Sequence, residues 1–556
     1  MRRTRPLGLA AVAATALAAV AAGPALAGNI KSPSRGPSSS ANPYVVPVAS
    51  GVRTISLITS GDTVGGYRYV GIPDGLGATR QKNTLTVYNN HELGAERGVA
   101  RKHGEKGAFV SQLTIDARTG RVLAGEDLID KGVDYWNYIT QTYSATYGAD
   151  KITSPAGVNP RDAGVVTTPA VTGPPAVPAV IARDTFAAQT AAFNRFCSSS
   201  LSAAGQFLNR RTKAGYEGRI YFANEEGGDN SRSFGVTTDG KAQQLPRLGL
   251  FSWENTLAAY NRSSTTVIAG MEDAAGGQLW IYSGTKSRRG TAFDKAGLTN
   301  GVNFVIDADD ESVKTDAEFR TTFGKGKPAA VDLSEVDWDQ SGAAQNREAA
   351  ADGLTLNRIE DGAWDPRKPN DLYFVTTEGG RGADVPTGRT GRDGGGVWRM
   401  HFEDIEEPEQ GGTLTLLLDG SEAPLLNKPD NVDIDRRGNL LIQEDPGNNT
   451  SVARIVAYNV DSGRRGVVAE FDRELFAPRT AGGTDARITI DEESSGIIDA
   501  EDVLGRGWWL FDAQLHPATA PSSYNDGVTA SEEIVERGQL LALKVDDIAK
   551  AYTIAP

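Results

Sequence analysis

The run "NTLTVYNNHELG" (83–94), followed by "GAFVSQLTIDARTGRVLAGE" (107–126), decides how the rest of the chain is read. Apolar and polar residues alternate in each run, as in strands with one buried face. The Asp-Ala-Arg-Thr-Gly cluster between "VSQLTI" and "RVLAGE" reads as a hairpin turn. The unit returns at "GRIYFANEEGGD" (218–229), at "STTVIAGMEDAAGGQLWIYSG" (264–284), and at "NDLYFVTTEGG" (370–380) with "GGGVWRMHFED" (394–404). It returns again at "GNLLIQEDPGNN" (438–449) with "VARIVAYNVDSGRRGVVAEF" (452–471), and at "GWWLFDAQLHP" (507–517) with "GQLLALKVDD" (538–547). About six such antiparallel units, in a chain with 64 glycines among 556 residues, predict an all-β six-bladed β-propeller. The irregular repeat lengths leave a pair of β-sandwiches as the alternative.

Residues 1–27 have a basic start, an alanine-rich apolar stretch and an A-x-A end, and read as a cleaved signal peptide. Arg2 and Arg3 admit the twin-arginine route beside the general secretory one. Residues 28–79 read as an N-terminal segment leading into the propeller, and 80–556 as the propeller domain. Later segments lack the roughly 18 consecutive apolar residues of a membrane span, so a soluble exported protein without stable membrane association is expected. Loss of the three arginines in the leader takes the formal charge from −14 to −17. That excludes a general nucleic-acid binder. It suits both simple solubility and a chain that binds multivalent cations.

Two long insertions interrupt the repeats, at about 135–200 and 307–356, and are expected to be partly helical and to cap the axial face. The first includes the Pro-rich "VVTTPAVTGPPAVPAV" (165–180), an extended surface stretch. The helical spacing of "RDTFAAQTAAFNRFCSSSLSAAGQFLN" (183–209) then places Cys197, the sole cysteine, at or near a helix end. The second insertion is acidic and ends in the helical "QNREAAADGL" (345–354).

The chemical signal lies where strands end. His91 and Glu92, then Glu225, Glu226 and Asp229, Glu272 and Asp273, Glu360 and Asp361, Glu378, and Glu444 and Asp445 each follow an apolar β run. Asp and Gly are ordinary in turns, but Glu is not. In a propeller such ends converge on one mouth, where crowded carboxylates stay ionised only if cations hold them. Oxygen ligands in this number suit Ca²⁺ or another hard cation. Cys197, beside Arg195 and three serines, reads as a ligand for a softer or transition metal. An inert apolar role and a nucleophile served by His91 are the other readings of that thiol.

Taken together, "YNNHELG" (88–94), "NRFCSSSL" (194–201), "NRIEDGAWDP" (357–366), "PDNVDIDRRGNLLIQEDP" (429–446) and "DEESSGIIDAEDVLG" (491–505) resemble the secreted bacterial PhoX-type alkaline phosphatase family. The resemblance runs in order over about residues 80–515. It implies a six-bladed propeller whose mouth holds two ferric ions and several calcium ions and which hydrolyses small phosphate monoesters; a monomer is expected. Residue by residue, it implies Cys197 as an iron thiolate, Glu360 as an iron-linked carboxylate and Glu272 as the other glutamate. Glu92, Asp430, Glu444 and Glu493, with Asp273 and Asp361 beside them, would serve the rest of the cluster, mostly calcium. Arg358 would hold the substrate phosphate, since a guanidinium forks onto a phosphoryl group; an ion pair with Glu360 or Asp361 is its structural alternative.

The sequence departs from the family in shorter segments. It also has Gln189 and Asn194 where a basic phosphate-binding residue is expected, a pattern that suits a changed ester preference such as a phosphodiester. Other propeller hydrolases, a calcium phytase or a lactonase, and a non-catalytic calcium-stabilised propeller are the competing classes. His516 near Asp512 reads as part of a capped turn rather than a catalytic base.

Overall fold

The computed structural model describes residues 32–556 apart from 146–151, 171, 173, 175, 177, 378–393, 448–450, 479, 482–483, 486 and 517–530. The signal-peptide reading of 1–27 and Glu378 therefore lie outside the described residues.

Six blades, each built on a run of antiparallel strands, stand around one axis, and each contributes its first strand to the centre. These inner strands are Pro73–Gln81 in blade I, Phe196–Leu201 in II and Trp253–Ala258 in III. Ile359–Trp364 in IV, Pro429–Ile434 in V and Asp491–Asp499 in VI complete the set. Each packs against the next, and blade VI against blade I, so the ring closes. The strands behind them carry the alternating runs of the sequence. Thr84–His91, Ile220–Glu225, Thr265–Glu272, Asp371–Thr376, Asn439–Glu444 and Trp508–His516 are the second strands. Their apolar faces fill the layers between blades, as with Phe222, Phe374, Leu441 and Phe511, all 0% exposed.

Closure uses both ends of the chain. Val52–Thr59 pairs antiparallel with Arg537–Val545 as the outer strand of blade VI, and Val45–Pro47 adds to the edge of blade V. Blades III and IV fuse into one nine-stranded sheet because Ala329–Val336, the last strand of III, also pairs with Gly412–Asp419 of IV.

The stretch 183–209 is not the helix its spacing predicts. It forms short strands at Thr185–Phe186 and Gln189–Thr190 and then the inner strand Phe196–Leu201, which carries Cys197. Pairing with Ile220–Glu225 outweighs the local preference of its alanines, a common tertiary override of propensity. The second insertion does hold a helix, Gly342–Asp352, capped by the Ser341 side chain. The two insertions meet through Arg161 and Asp339, and through Arg347 and Asp184 at 2.8 Å.

Because Val52–Thr59 supplies an entire strand of blade VI, removal of the chain through Thr59 should expose the edge at Arg537–Val545. Thermal unfolding of that truncation should occur at a markedly lower temperature than for the chain starting at residue 28. Equal melting temperatures would contradict closure by this strand.

Candidate metal centre

Five blades begin alike: Pro73-Asp74-Gly75, Phe196-Cys197-Ser198, Trp253-Glu254-Asn255, Ile359-Glu360-Asp361 and Pro429-Asp430-Asn431. In each, the first residue pairs with the second strand, and regular pairing then resumes three residues later against a partner only two residues on. This is a β-bulge of one extra residue, a device that re-aims a side chain. The residue it re-aims is the potential metal donor: Asp74, Cys197, Glu254, Glu360 or Asp430. Blade VI has its bulge between Ser495 and Ile498, with Gly496 at φ +62°. A Cβ there would lie 2.5 Å from the Asp74 carbonyl oxygen, so glycine is required, and the acid of this blade is Glu493 instead.

A second tier lies above. The backbone N–H groups of Glu92, Glu226, Asp273, Thr377 and Asp445, just past their second strands, donate to the carbonyls of Ile72, Arg195, Ser252, Arg358 and Lys428 at 2.8–3.0 Å. Each acceptor sits two residues before its blade's donor. Four of them, Ile72, Arg195, Arg358 and Lys428, have φ between +43° and +51°. Left-handed backbone at non-glycine residues costs about 1–3 kcal/mol each and persists only where the surroundings enforce it.

Part of that enforcement comes from two buried clasps. In blade II, Arg232 forks onto Glu225 at 2.6 and 2.7 Å and donates to the carbonyls of Thr190 and Ala192, while Glu225 accepts from the Asn194 N–H at 3.0 Å. Arg454 and Glu444 repeat this in blade V, with the carbonyls of Pro424 and Leu425 and the Asn427 N–H. The clasps fix the segments that deliver Arg195 and Cys197 on one side and Lys428 and Asp430 on the other.

Two sets of donor atoms result, each within 4.8 Å of one another: Asp74, Glu92 and Cys197, and Glu254, Glu360 and Asp430. All six residues are buried. The Cys197 thiol donates to Asp74 Oδ2 at 3.3 Å. Gln514 Nε2 reaches the same oxygen at 3.0 Å, and Glu92 and Glu493 at 3.4 Å each. Asp74 Oδ1, Glu360 Oε1 and Asp430 Oδ1 are buried without a hydrogen bond. Arg358 Nη2 lies 3.2 Å from that Glu360 oxygen but is not aligned to donate to it.

Electrostatics set the cost. Burial, then the charges of Glu493 and Glu92, holds the Asp74 carboxyl well above its usual range. Burial, then Asp74 and Glu254, does the same to the Cys197 thiol. Burial, then Glu254 and Glu360, raises Asp430. Glu360 is raised by burial against the pull of Arg358, and Glu254 by burial, Asp74 and Glu226. Burial pushes Glu226 up to about 8 and Glu493 to about 7. So many raised groups in one place mark a site that lacks positive charge.

Of the residues singled out in the sequence, Cys197, Glu92, Glu360 and Asp430 fall in the two donor sets, and Glu493 borders the first. Asp273 instead binds Arg358, at 2.6 and 2.9 Å. Three others do not join either donor set. Glu272 accepts from the Gln278 N–H and Trp280 Nε1 at 2.9 and 2.8 Å, and Glu444 is held in its clasp. Both are the last residues of their second strands, whereas Glu92 and Asp273 lie one residue past theirs. Asp361, next to Glu360, accepts from Asn255 Nδ2 and the Gly362 and Val432 N–H groups and lines a cavity at the opposite end of the axis. Asp74 and Glu254 escaped the sequence reading. Their signal is the shared start of each inner strand, an anchoring residue followed by a donor and then a small or polar residue.

The arrangement defines a class: a six-bladed propeller with an acid-and-thiol cluster at its axial mouth. The family model described as alkaline phosphatase PhoX matches residues 233–495, so the resemblance read from the motifs holds at the level of sequence. That span includes Glu254, Arg358, Glu360, Asp430 and Glu493, while Asp74, Glu92 and Cys197 precede it. Among solved structures, the chain is similar to Pseudomonas fluorescens PhoX in complex with vanadate, a transition state analogue. The two are 13% identical over 91% of this chain and 99% of that one, with a TM-score of 0.51, which shows the shared fold. A gluconolactonase from Xanthomonas campestris is 11% identical over 94% of this chain and 98% of its own, with a TM-score of 0.30. No curated protein matches the chain.

Two outcomes follow from this site. Carboxyls raised on folding bind protons that the unfolded chain releases, so stability falls as pH rises from the unfolded value of 4.5 through about 7 for Glu493 and about 8 for Glu226. The cation-stripped protein should therefore lose melting temperature steadily over that window, and added Ca²⁺ should restore it. A pH-independent melting curve that Ca²⁺ leaves unmoved would contradict the charge deficit. Second, Arg232→Met strands the buried Glu225 and should cost about 3–5 kcal/mol in denaturant unfolding, whereas replacing both partners by apolar residues should cost much less. Equal losses for the single and double variants would contradict the clasp.

Proposed function

We propose that the chain is a secreted, metal-dependent phosphoesterase acting on small phosphate monoesters, with iron and calcium held at the propeller mouth. The observation that carries the reading is the union of two donor sets with a guanidinium on the same tier: Arg358 stands over Glu360 and Asp273. The match to the alkaline phosphatase PhoX family model and the fold shared with a PhoX that holds a transition-state analogue support it.

The residues fit the metals in kind. Asp74, Glu92 and Cys197 combine two oxygens and a sulfur, a set for a transition metal such as iron, whereas Glu254, Glu360 and Asp430 offer only oxygens and suit a hard cation such as calcium. The unpartnered oxygens of Asp74, Glu360 and Asp430 are the atoms left open for them. Bound cations would supply Lewis acidity and neutralise charge developing on the phosphoryl group. The chain's own residues do the rest. Arg358 presents its planar donors to non-bridging phosphoryl oxygens, in exchange for its present hold on Asp273. Asp273 keeps that guanidinium oriented until substrate arrives. The Gln514 amide steadies Asp74, Glu92 and Glu493 together. The formal charge of −14 argues against nucleic acid as substrate, and we read the protein as a monomer.

Hydrolysis of a chromogenic phosphate monoester, with metal analysis of the same samples, tests the reading. Cys197→Ala should lose metal and activity together. Arg358→Ala should keep its metal and lose about 2–4 kcal/mol of transition-state stabilisation, the scale of one electrostatic donor. An active wild type whose two variants turn over normally would overturn the assignment.

A further inference from the structure

Arg195 and Arg358 are the same residue of the propeller, repeated two blades apart. Each lies two residues before its blade's donor, Cys197 in blade II and Glu360 in blade IV. Each has left-handed backbone, at φ +49° and +43°. Each reaches back to the acid that follows the second strand of the preceding blade: Arg195 Nη2 to Glu92 Oε1 at 2.6 Å, and Arg358 Nε to Asp273 Oδ1 at 2.6 Å. Each also touches an acid of its own blade, Glu226 at 2.5 Å and Glu360 at 3.2 Å. Blade III, with Glu254, stands between them in the ring of inner strands.

This equivalence has a chemical consequence. In both side chains the protein contacts use Nε and Nη2, and among the described residues Nη1 makes no hydrogen bond. Arg195 is 49% exposed and lines a cavity of about 450 Å³ at the mouth, which Arg97, His516 and Glu493 also line. Its guanidinium is thus open to a ligand rather than sealed in an ion pair.

We infer that Arg195 is a second phosphoryl-binding residue that faces Arg358 across blade III and makes the site selective for the terminal phosphoryl group of a monoester. The inference rests on the phosphoesterase reading above. A monoester dianion presents three non-bridging oxygens, one for the open Nη1 group of each guanidinium and a third for the cations that the donor sets would hold. A diester presents two such oxygens and a single charge, and its second substituent takes up the place of the third. Two opposed guanidinia therefore favour the monoester by charge and by oxygen count.

The experiment uses the metal-loaded full chain as wild type, Arg195→Ala, Arg195→Lys and Arg358→Ala. It reads inorganic phosphate affinity by calorimetry, metal content, and kcat and KM on p-nitrophenyl phosphate and bis(p-nitrophenyl) phosphate. Arg195→Ala should weaken phosphate binding at least tenfold and raise KM for the monoester more than for the diester, with metal content unchanged. Arg195→Lys should recover part of the phosphate affinity. Unchanged phosphate affinity in Arg195→Ala, or an equal loss on both esters, would overturn the inference, as would loss of metal, which would make Arg195 a structural partner of Glu92. If the wild type hydrolyses neither ester, the phosphoesterase reading fails while the phosphate titration still decides whether Arg195 binds the anion.

Discussion

The repulsion among carboxylates gathered at the axis is the constraint that the rest of the propeller serves. Asp74, Glu254, Glu360 and Asp430 are buried with the Cys197 thiol, and burial together with one another's charge raises every one of them. A fold does not accumulate such groups for stability, since each unpaired buried charge opposes folding. The two mouth guanidinia are too few to balance them. The arrangement makes physical sense as a receptacle for multivalent cations, and the strand geometry is organised to hold it open.

The repeat does the holding. A bulge at the same point of five inner strands turns one residue per blade out of the pleat, so sequence positions hundreds of residues apart become neighbours. Buried amides tie the bulges together: Asn90 donates to the Cys197 carbonyl at 2.6 Å, Asn89 to the Asp74 carbonyl at 2.9 Å, and Asn255 to Asp361 at 2.7 Å. The Glu225–Arg232 and Glu444–Arg454 clasps hold the strained residues on the tier above. Rigid strand ends, rather than flexible loops, thus present the donors, as a site of fixed geometry needs.

Much of the fold was legible because a half-buried antiparallel strand writes its two-residue period into the chain, as in "NTLTVYNN" and "RIVAYN". The helix expected at 183–209 was not there because alanine-rich spacing is a weak local preference and pairing with Ile220–Glu225 decides the matter. At the site, the density of acids was legible but their depth was not. Glu272 and Glu444 follow apolar runs just as Glu92 does, yet each is the last residue of its second strand, whereas Glu92 lies one residue past its own, and their side chains take Trp280 and Arg454 as partners. Asp74 in "IPDGL" and Glu254 in "SWENT" look like turn and surface residues until the starts of the inner strands are aligned with "RFCSS", "RIEDG" and "KPDNV".

The most direct measurement is a crystal structure of the full chain with anomalous diffraction collected on both sides of the iron absorption edge and at a longer wavelength for calcium. The account predicts ion peaks against the open oxygens of Asp74, Glu360 and Asp430, with the Cys197 sulfur bonded to the ion beside Asp74 and Glu92. A mouth filled by water alone, with Cys197 still hydrogen-bonded to Asp74 at saturating cation, would contradict it.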